Sequence, residues 1–274
     1  MFTLNCKGKL LSLEKPLVMG IINVNNDSFF KGNRKAEIED VLLLAEKMLK
    51  DGATILDFGG QSTRPASTLI SEEEETARVV PIIEKIIQKF PEAIISVDTF
   101  YAEVAKRAVG AGASIVNDIS AGGLDEKMLE TVAELDAPYI AMHMRGTPQI
   151  MNTLTQYENV TREILDFFIQ KIDKCHKAGI KDVIIDPGFG FAKTPAQSFE
   201  LLKNIPVFKM LQKPLLVGVS RKSMVYKTLH STAEEALNGT TVLDTFALLN
   251  GANIIRVHDV KEAVEAVTLL EKLQ

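Results

Sequence analysis

Leu17-Val18-Met19-Gly20-Ile21-Ile22 is an apolar run that stops at Asn23, and a helix-forming stretch follows it. The same pattern recurs along the chain. Ala53–Leu56 stops at Asp57, Ala93–Val97 at Asp98, Ala113–Val116 at Asn117, and Pro138–Met142 at His143. Asp182–Ile185 stops at Asp186, Pro214–Val217 at Gly218, and Asn253–Ile255 at Arg256. The runs are nearly continuous in apolar residues, as in parallel strands buried on both faces. Repeated strand–helix units of this kind predict an α/β fold, a (β/α)8 TIM barrel. In that fold the groups just past the strand ends share one mouth, where chemistry is done. The stop residues are therefore a list of candidate site residues.

The length of 274 residues suits one such barrel, and a single domain over residues 1–274 is expected. The net charge of −5 gives no general attraction to nucleic acid or anionic membranes, so an anionic substrate needs a local basic site. Cys6 and Cys175 lie far apart without a CxxC spacing and read as free thiols in a reducing compartment. Lys7, Lys9, Glu14 and Lys15 break up the N-terminus, so no signal peptide is expected there. No run reaches the ~20 apolar residues of a membrane span. A cytoplasmic protein is expected.

Weak alternation over the first fifteen residues, around Gly8, predicts a short β-hairpin that plugs the N-terminal end of the barrel. Helices are expected over Ala36–Leu49, Glu72–Phe90, Thr161–Ala178, Glu234–Leu249 and Val260–Leu270. Ser71 with Glu74 reads as a capping box, and Gly179 as a C-terminal stop. The longest loops, Asn25–Lys35, Gly59–Ile70, His143–Tyr157 and Gly188–Ala196, all follow strands.

The last strand reads Arg256-Val257-His258, and a two-residue period puts the arginine and histidine on one face. With a helix N-terminus beside them they suit a phosphate or pyrophosphate; a structural pair between Arg256 and an acid such as Asp259 is the alternative. In Gly218-Val219-Ser220-Arg221-Lys222-Ser223, one of the two basic residues is expected to face the mouth. Gly59-Gly60-Gln61-Ser62-Thr63-Arg64-Pro65 suits an anion-binding loop or an ordinary flexible one. Asp98, Asn117 and Asp186 can each cap a helix, but two acids and an amide at converging strand ends suit the hydrogen-bonding edge of an amino-substituted heterocycle. Met142 and Phe191 are candidates for its flat faces. His143 and His258 stand at strand ends, whereas His176 and His230 read as surface residues. HExxH, GxGxxG, P-loop and GxSxG spacings are absent, which favours transfer chemistry with an anionic leaving group.

The strings VMGIINV, DSF, GGQSTRP, SVDT, NDI, MHMRGTP, DPGFGF, LLVGVSRKS and RVHDV stand in this order along nearly the whole chain. On them the sequence resembles the dihydropteroate synthases of folate synthesis. The resemblance implies a TIM barrel that dimerises and joins 6-hydroxymethyl-7,8-dihydropterin pyrophosphate to 4-aminobenzoate, releasing pyrophosphate. It implies a pterin site of Asp98, Asn117, Ile119, Met142, Asp186, Phe191, Gly218 and Lys222. It implies a pyrophosphate site of Asn23, Arg64, Arg256 and His258, with Asn23 also reaching Mg2+. Phe29, Thr63, Arg64, Pro65 and Ser223 would shape the aminobenzoate site, and Asp27, Lys222, Arg256 and His258 would be catalytic. The family's first loop reads NVTPDSFSDGG, where this chain has Asn25-Asn26 for Thr-Pro and Lys31 for the second acid; Gln61 replaces a usual glutamate. A weakly active pterin-binding paralogue is the reading that Lys31 motivates. A pterin-binding methyltransferase shares the pterin-edge residues but needs no pyrophosphate site.

Overall fold

A computed structural model describes residues 2–24, 34–61 and 69–273, with side chains omitted at 34–37. Strands β1 (Thr3–Cys6) and β2 (Lys9–Ser12) form an antiparallel hairpin. Lys7 (φ 54°) and Gly8 (φ 85°) fill its two-residue turn. Two successive positive φ values are the turn geometry whose twist matches paired strands.

Then the alternation begins: β3 (Leu17–Asn23), α1 (Arg34–Lys50), β4 (Ile55–Gly59), α2 (Glu72–Lys89), β5 (Ile94–Asp98) and α3 (Ala102–Ala111). It continues with β6 (Ile115–Asp118), α4 (Met128–Glu134), β7 (Tyr139–Met142), α5 (Val160–Ala178), β8 (Val183–Asp186) and α6 (Pro195–Lys203). It ends with β9 (Leu216–Val217), α7 (Ser223–Thr228), α8 (Leu237–Leu249), β10 (Ile254–Val257) and α9 (Val260–Leu270). The parallel sheet runs β8-β7-β6-β5-β4-β3-β10-β9. Its two ends meet through the parallel bridge Ile185↔Leu215, backed by Ile185 N–H donating to Pro214 O at 3.0 Å. The expected (β/α)8 barrel is therefore present.

Side chains alternate in and out along each strand. The outward set packs with the helices in one large apolar layer that includes Val18, Leu56, Val97, Val116, Ile185 and Ile255. Gly20 marks a close approach in it. A Cβ there would meet Met48 Sδ at 2.8 Å and Val260 Cγ2 at 3.1 Å, so a larger residue displaces the Met48 side chain.

The inward set is stratified. Met19, Ile55, Ile94, Ile115, Ile140, Ile184, Leu216 and Ile254 form an apolar floor, and Leu4, Cys6 and Leu13 from the hairpin region pack under it. The hairpin is the expected plug, pinned further where Asn5 N–H donates to Asp182 Oδ2 at 2.8 Å. Two residues further along the strands the interior turns polar, with Asp57, Ser96, Asn117, Asp186 and Arg256. Above these, Phe100, Ile119 and Met142 make a small apolar cluster that Phe191 flanks.

Helix ends follow the sequence signals. Ser71 caps α2 by accepting from Glu74 N–H, and Gly179 ends α5 with φ 98°. The helix expected from Glu234 starts at Leu237 instead. Thr232 and Glu235 bind each other's backbone N–H groups at 3.2 and 3.3 Å, which closes a separate turn before it.

Candidate functional site

Arg256 sits at the centre of the polar layer. Its Nε donates to Asp57 Oδ2 at 2.6 Å, and its Nη2 donates to Asp98 Oδ2 at 2.7 Å. Asn117 Nδ2 also donates to Asp57 Oδ2, at 3.1 Å. Asp57 is fully buried, and its Oδ1 accepts no hydrogen bond among the described residues. Burial raises the Asp98 carboxyl while Arg256 pulls it down; the paired acids in turn hold the guanidinium firmly cationic. The cluster thus stores two anions on one cation, and three of the five guanidinium N–H donors remain for other acceptors.

Asp186 ends β8 beside this cluster. Its Oδ1 accepts from Gly188 N–H at 2.8 Å, which fixes the carboxylate plane. Burial raises its pKa, opposed first by Lys222. Lys222 approaches from the β9–α7 turn. Its Nζ donates to Phe189 O at 2.6 Å and lies 4.8 Å from the centre of the Phe191 ring. Burial lowers this amine to about 8, against the pull of Asp186. Gly218 underlies the pair: a Cβ there would stand 3.7 Å from Arg256 Cβ and 4.0 Å from Lys222 Nζ.

Asp98, Asn117, Asp186, Gly218, Lys222 and Arg256 therefore share one wall, with Ile119, Met142 and Phe191 as its apolar border. Of the two basic residues of the turn, Lys222 faces the mouth. Arg221 turns away and clasps Asp259 through two bonds of 2.9 and 2.6 Å. That pairing uses the acid considered for Arg256, whose partners lie instead across the barrel. His258 stands exposed at the rim, with Nδ1 3.0 Å from Ser220 Oγ. Partial shielding of the ring nitrogens by the rim, then Arg256 and Arg221, lower its imidazole. An anion placed between these groups reverses that effect. Ser223 opens α7, and Asn23 is half-buried at the end of β3. Asp27, Phe29, Lys31, Thr63, Arg64, Pro65 and the Asn25-Asn26 pair lie outside the described residues.

His143 does not face the mouth. It is buried edge-on against Phe167, 4.8 Å between ring centres, and meets Lys193 Nζ at 2.9 Å. Cys6 and Cys175 are free and buried. Two functional-looking groups, Asp118 and Lys193, escaped the sequence reading, and a third, Asp57, stood in it without a role. Asp57 was visible as a strand-end acid, but nothing in one sequence says that it faces Arg256. Asp118 is a buried hub that accepts from Ser120, Gly122 and Tyr139 at 2.7 Å each and shapes the loop carrying Ile119. Lys193 carries no signal beyond its place in a long loop.

Asn23 offers an amide oxygen at a strand end. A small hard cation that keeps waters and takes its other oxygens from a phosphate ester needs little more from the protein, so Mg2+ fits this donor. Among the described residues no group of three or more His, Cys, Asp or Glu is placed to cage a metal.

Residues 19–258 match the family model described as pterin binding enzyme. The dihydropteroate synthase of Escherichia coli K12 is 43% identical over 268 residues, covering 97% of this chain and 94% of that protein. The Xanthomonas albilineans dihydropteroate synthase solved with 4-aminobenzoic acid superposes with a TM-score of 0.93 at 37% identity, covering 99% of this chain and 98% of that one. The Yersinia pestis enzyme, solved as a sulfonamide drug complex, gives 0.93 at 40% identity with the same coverage of both chains.

Proposed function

The chain belongs to the dihydropteroate synthase family of pterin-binding enzymes, and we infer from that membership and the strand-end cluster how it works. It condenses 6-hydroxymethyl-7,8-dihydropterin pyrophosphate with 4-aminobenzoate to give 7,8-dihydropteroate and pyrophosphate. The observation that carries the residue roles is the convergence of Asp98, Asn117, Asp186 and Lys222 beside Arg256 at the C-terminal mouth of the barrel.

The pterin presents adjacent N–H donors and ring acceptors along one edge. Asp186, oriented by Gly188, takes the donors with its second oxygen; Asn117 and Asp98 complete the edge, and Lys222 supplies the cation for ring acceptors. Met142, Ile119, Phe191 and Gly218 close on the flat faces. The reacting carbon is the exocyclic CH2 group. Its bond to the pyrophosphate oxygen breaks early because the electron-rich ring spreads the positive charge. Arg256 and His258 accept the charge that collects on the leaving group, in a site where such stabilisation is worth most. Asn23 would hold Mg2+ through its amide oxygen, and the ion would supply further neutralisation of the pyrophosphate. The aniline nitrogen of 4-aminobenzoate then forms the C–N bond and loses its proton; it is neutral at pH 7, so no strong base is required. Phe29, Thr63, Arg64, Pro65 and Ser223 are assigned to aminobenzoate, Arg64 also to pyrophosphate, and Asp27 to the cationic carbon. Sulfonamides compete for the aminobenzoate position.

The basic pair Arg256 and His258 favours the synthase over methyl transfer, which releases no anion of this kind. The dimer is assigned to the outer face of α8, where Val242, Phe246 and Leu249 form an exposed apolar stripe at helical spacing. No helix among the described residues is long and apolar enough to cross a membrane. The cytoplasm is assigned on the free thiols of Cys6 and Cys175, which suit a reducing compartment. The test is a two-substrate assay. Pteroate and pyrophosphate form only when the pterin pyrophosphate, 4-aminobenzoate and Mg2+ are all present. Pterin binding without turnover, restored by Lys31→Asp, would instead establish the weakly active paralogue.

A further inference from the structure

Lys193 is a lysine at 6% exposure, in the loop between β8 and α6. Its Nζ meets Gly188 O at 2.9 Å, Phe191 O at 2.9 Å and His143 Nδ1 at 2.9 Å, with His143 O at 3.4 Å. Two carbonyl acceptors and one ring nitrogen thus surround the amine at hydrogen-bond distance. Burial strongly lowers both the Lys193 amine and the His143 imidazole, so the two nitrogens share one hydrogen bond whose proton can sit on either.

The backbone is built around this amine. Gly188, Gly190 and Ala192 all adopt positive φ, at 70°, 78° and 50°. An alanine is strained in that conformation, because its Cβ crowds the following carbonyl. At Gly188 no other residue fits, because a Cβ would stand 2.1 Å from His143 O. The alternate left-handed residues bring two carbonyls of one loop, and a side-chain nitrogen of the neighbouring strand end, onto a single nitrogen.

What hangs on this loop is the pterin wall. Phe189 O is the acceptor for Lys222, and the Phe191 ring lies against that same amine. Phe191 N–H also returns to Gly188 O at 3.1 Å, so both ends of the Phe191 backbone are tied to the knot that Lys193 closes. Asp186 begins the loop and is fixed by Gly188 N–H.

We propose that Lys193 is a positioning residue for the pterin pocket: its buried amine ties β7 to the 188–191 loop and thereby sets Phe191, the Lys222 ammonium and the Asp186 carboxylate for the ring. It touches no substrate. It acts by holding three groups that do, and so it affects the pterin half-site and not the aminobenzoate half-site. This rests on the reading of that pocket as the pterin site.

The experiment compares the full-length enzyme with Lys193→Met and Lys193→Gln. Methionine keeps the length of the side chain without donors; glutamine restores two donors without charge. Pterin affinity is measured by calorimetry with the dihydropterin pyrophosphate, and KM is measured for each substrate. Lys193→Met is expected to raise the pterin Kd and KM about 10- to 50-fold and to leave the 4-aminobenzoate KM within twofold. Lys193→Gln is expected to recover at least a third of the lost affinity on a logarithmic scale. Equal pterin affinity in Lys193→Met, equal losses for both substrates, or no recovery in Lys193→Gln would overturn the assignment. Should Lys193→Met not fold, Lys193→Gln carries the test alone, with at least a threefold rise confined to the pterin KM expected and an unchanged or unconfined KM refuting. If the unaltered enzyme binds no pterin, the reading of the pocket fails instead.

Discussion

Replacing Arg256 by methionine removes the only cation that bonds to Asp57 and Asp98 among the described residues. Asp57 is fully buried and loses a 2.6 Å charge-assisted bond, keeping only Asn117; Asp98 loses one of 2.7 Å. Breaking one partner out of a buried ion pair costs about 3–5 kcal/mol, because a charge is left buried without compensation. A domain of this kind has roughly 5–15 kcal/mol in total, so the loss is measurable and leaves a folded protein. The sign of its pH dependence follows. Burial holds the Asp98 carboxyl at about 7 even with Arg256 in place, and loss of the guanidinium lets it rise further. The Asp98 share of the variant's deficit is then absent well below pH 7 and grows by at most about 1.4 kcal/mol per pH unit above it, until the variant's own pKa is passed. Urea unfolding at pH 5 and pH 8 reads this directly. Arg256→Met should lie below the unaltered protein at both pH values, by about 3–5 kcal/mol at pH 8 and by less at pH 5. Adding Asp57→Asn should return about 1–3 kcal/mol at pH 8, since one orphan charge is removed. A deficit under 1 kcal/mol at pH 8, or one that does not change with pH, would refute the paired-acid description.

The Lys222 amine, lowered to about 8 by burial, is cationic below that pH and neutral above it. An alkaline fall in kcat/KM for the pterin substrate near pH 8 is expected in the free enzyme, and Lys222→Arg should remove that limb. Asp244 on α8 is buried, its Oδ1 lacks a hydrogen-bond partner among the described residues, and burial followed by Asp259 raises it to about 8. A carboxyl raised in the folded state stabilises at low pH and loses that contribution between about pH 4 and 8. Asp244→Asn should therefore raise stability by one to a few kcal/mol at pH 8 and little at pH 4, read by Tm at both. Gly188→Ala places a Cβ 2.1 Å from His143 O and should cost more than ~3 kcal/mol in urea unfolding, whereas Gly190→Ala, whose nearest neighbour is Lys222 Cδ at 3.5 Å, should cost about 1–2.

The barrel was legible because each unit of it repeats one physical statement: an apolar strand, a polar stop, an amphipathic helix. The hairpin plug was legible too, from Gly8 and the alternation of Leu4, Leu11 and Leu13. The wall of the site was legible as a list, since strand ends converge in any such barrel. Its internal pairing was not. Arg256 finds Asp57 and Asp98, which lie 199 and 158 residues away, and only the order and shear of the strands decide this. Arg221 and Lys222 are neighbours in sequence, and their opposite directions depend on the positive φ of 54° at Arg221, which no local residue preference announces. Lys193 reads as an ordinary loop lysine until the left-handed backbone around it brings its acceptors together. His143 shows the converse: a strand-end histidine looks like a mouth residue, but its side chain is packed beneath the wall.

The central claim is that the acids at the strand ends read the pterin edge, and Asp186→Asn tests it most directly. Asparagine keeps an acceptor for Gly188 N–H, so the loop is preserved, but the group facing the ligand changes. Calorimetric titration with the dihydropterin pyrophosphate should show a Kd raised about 100-fold, the loss of roughly 2.7 kcal/mol expected for charge-assisted bonds, with Tm unchanged or higher. A folded Asp186→Asn protein that binds the pterin within threefold of the unaltered enzyme would contradict the account.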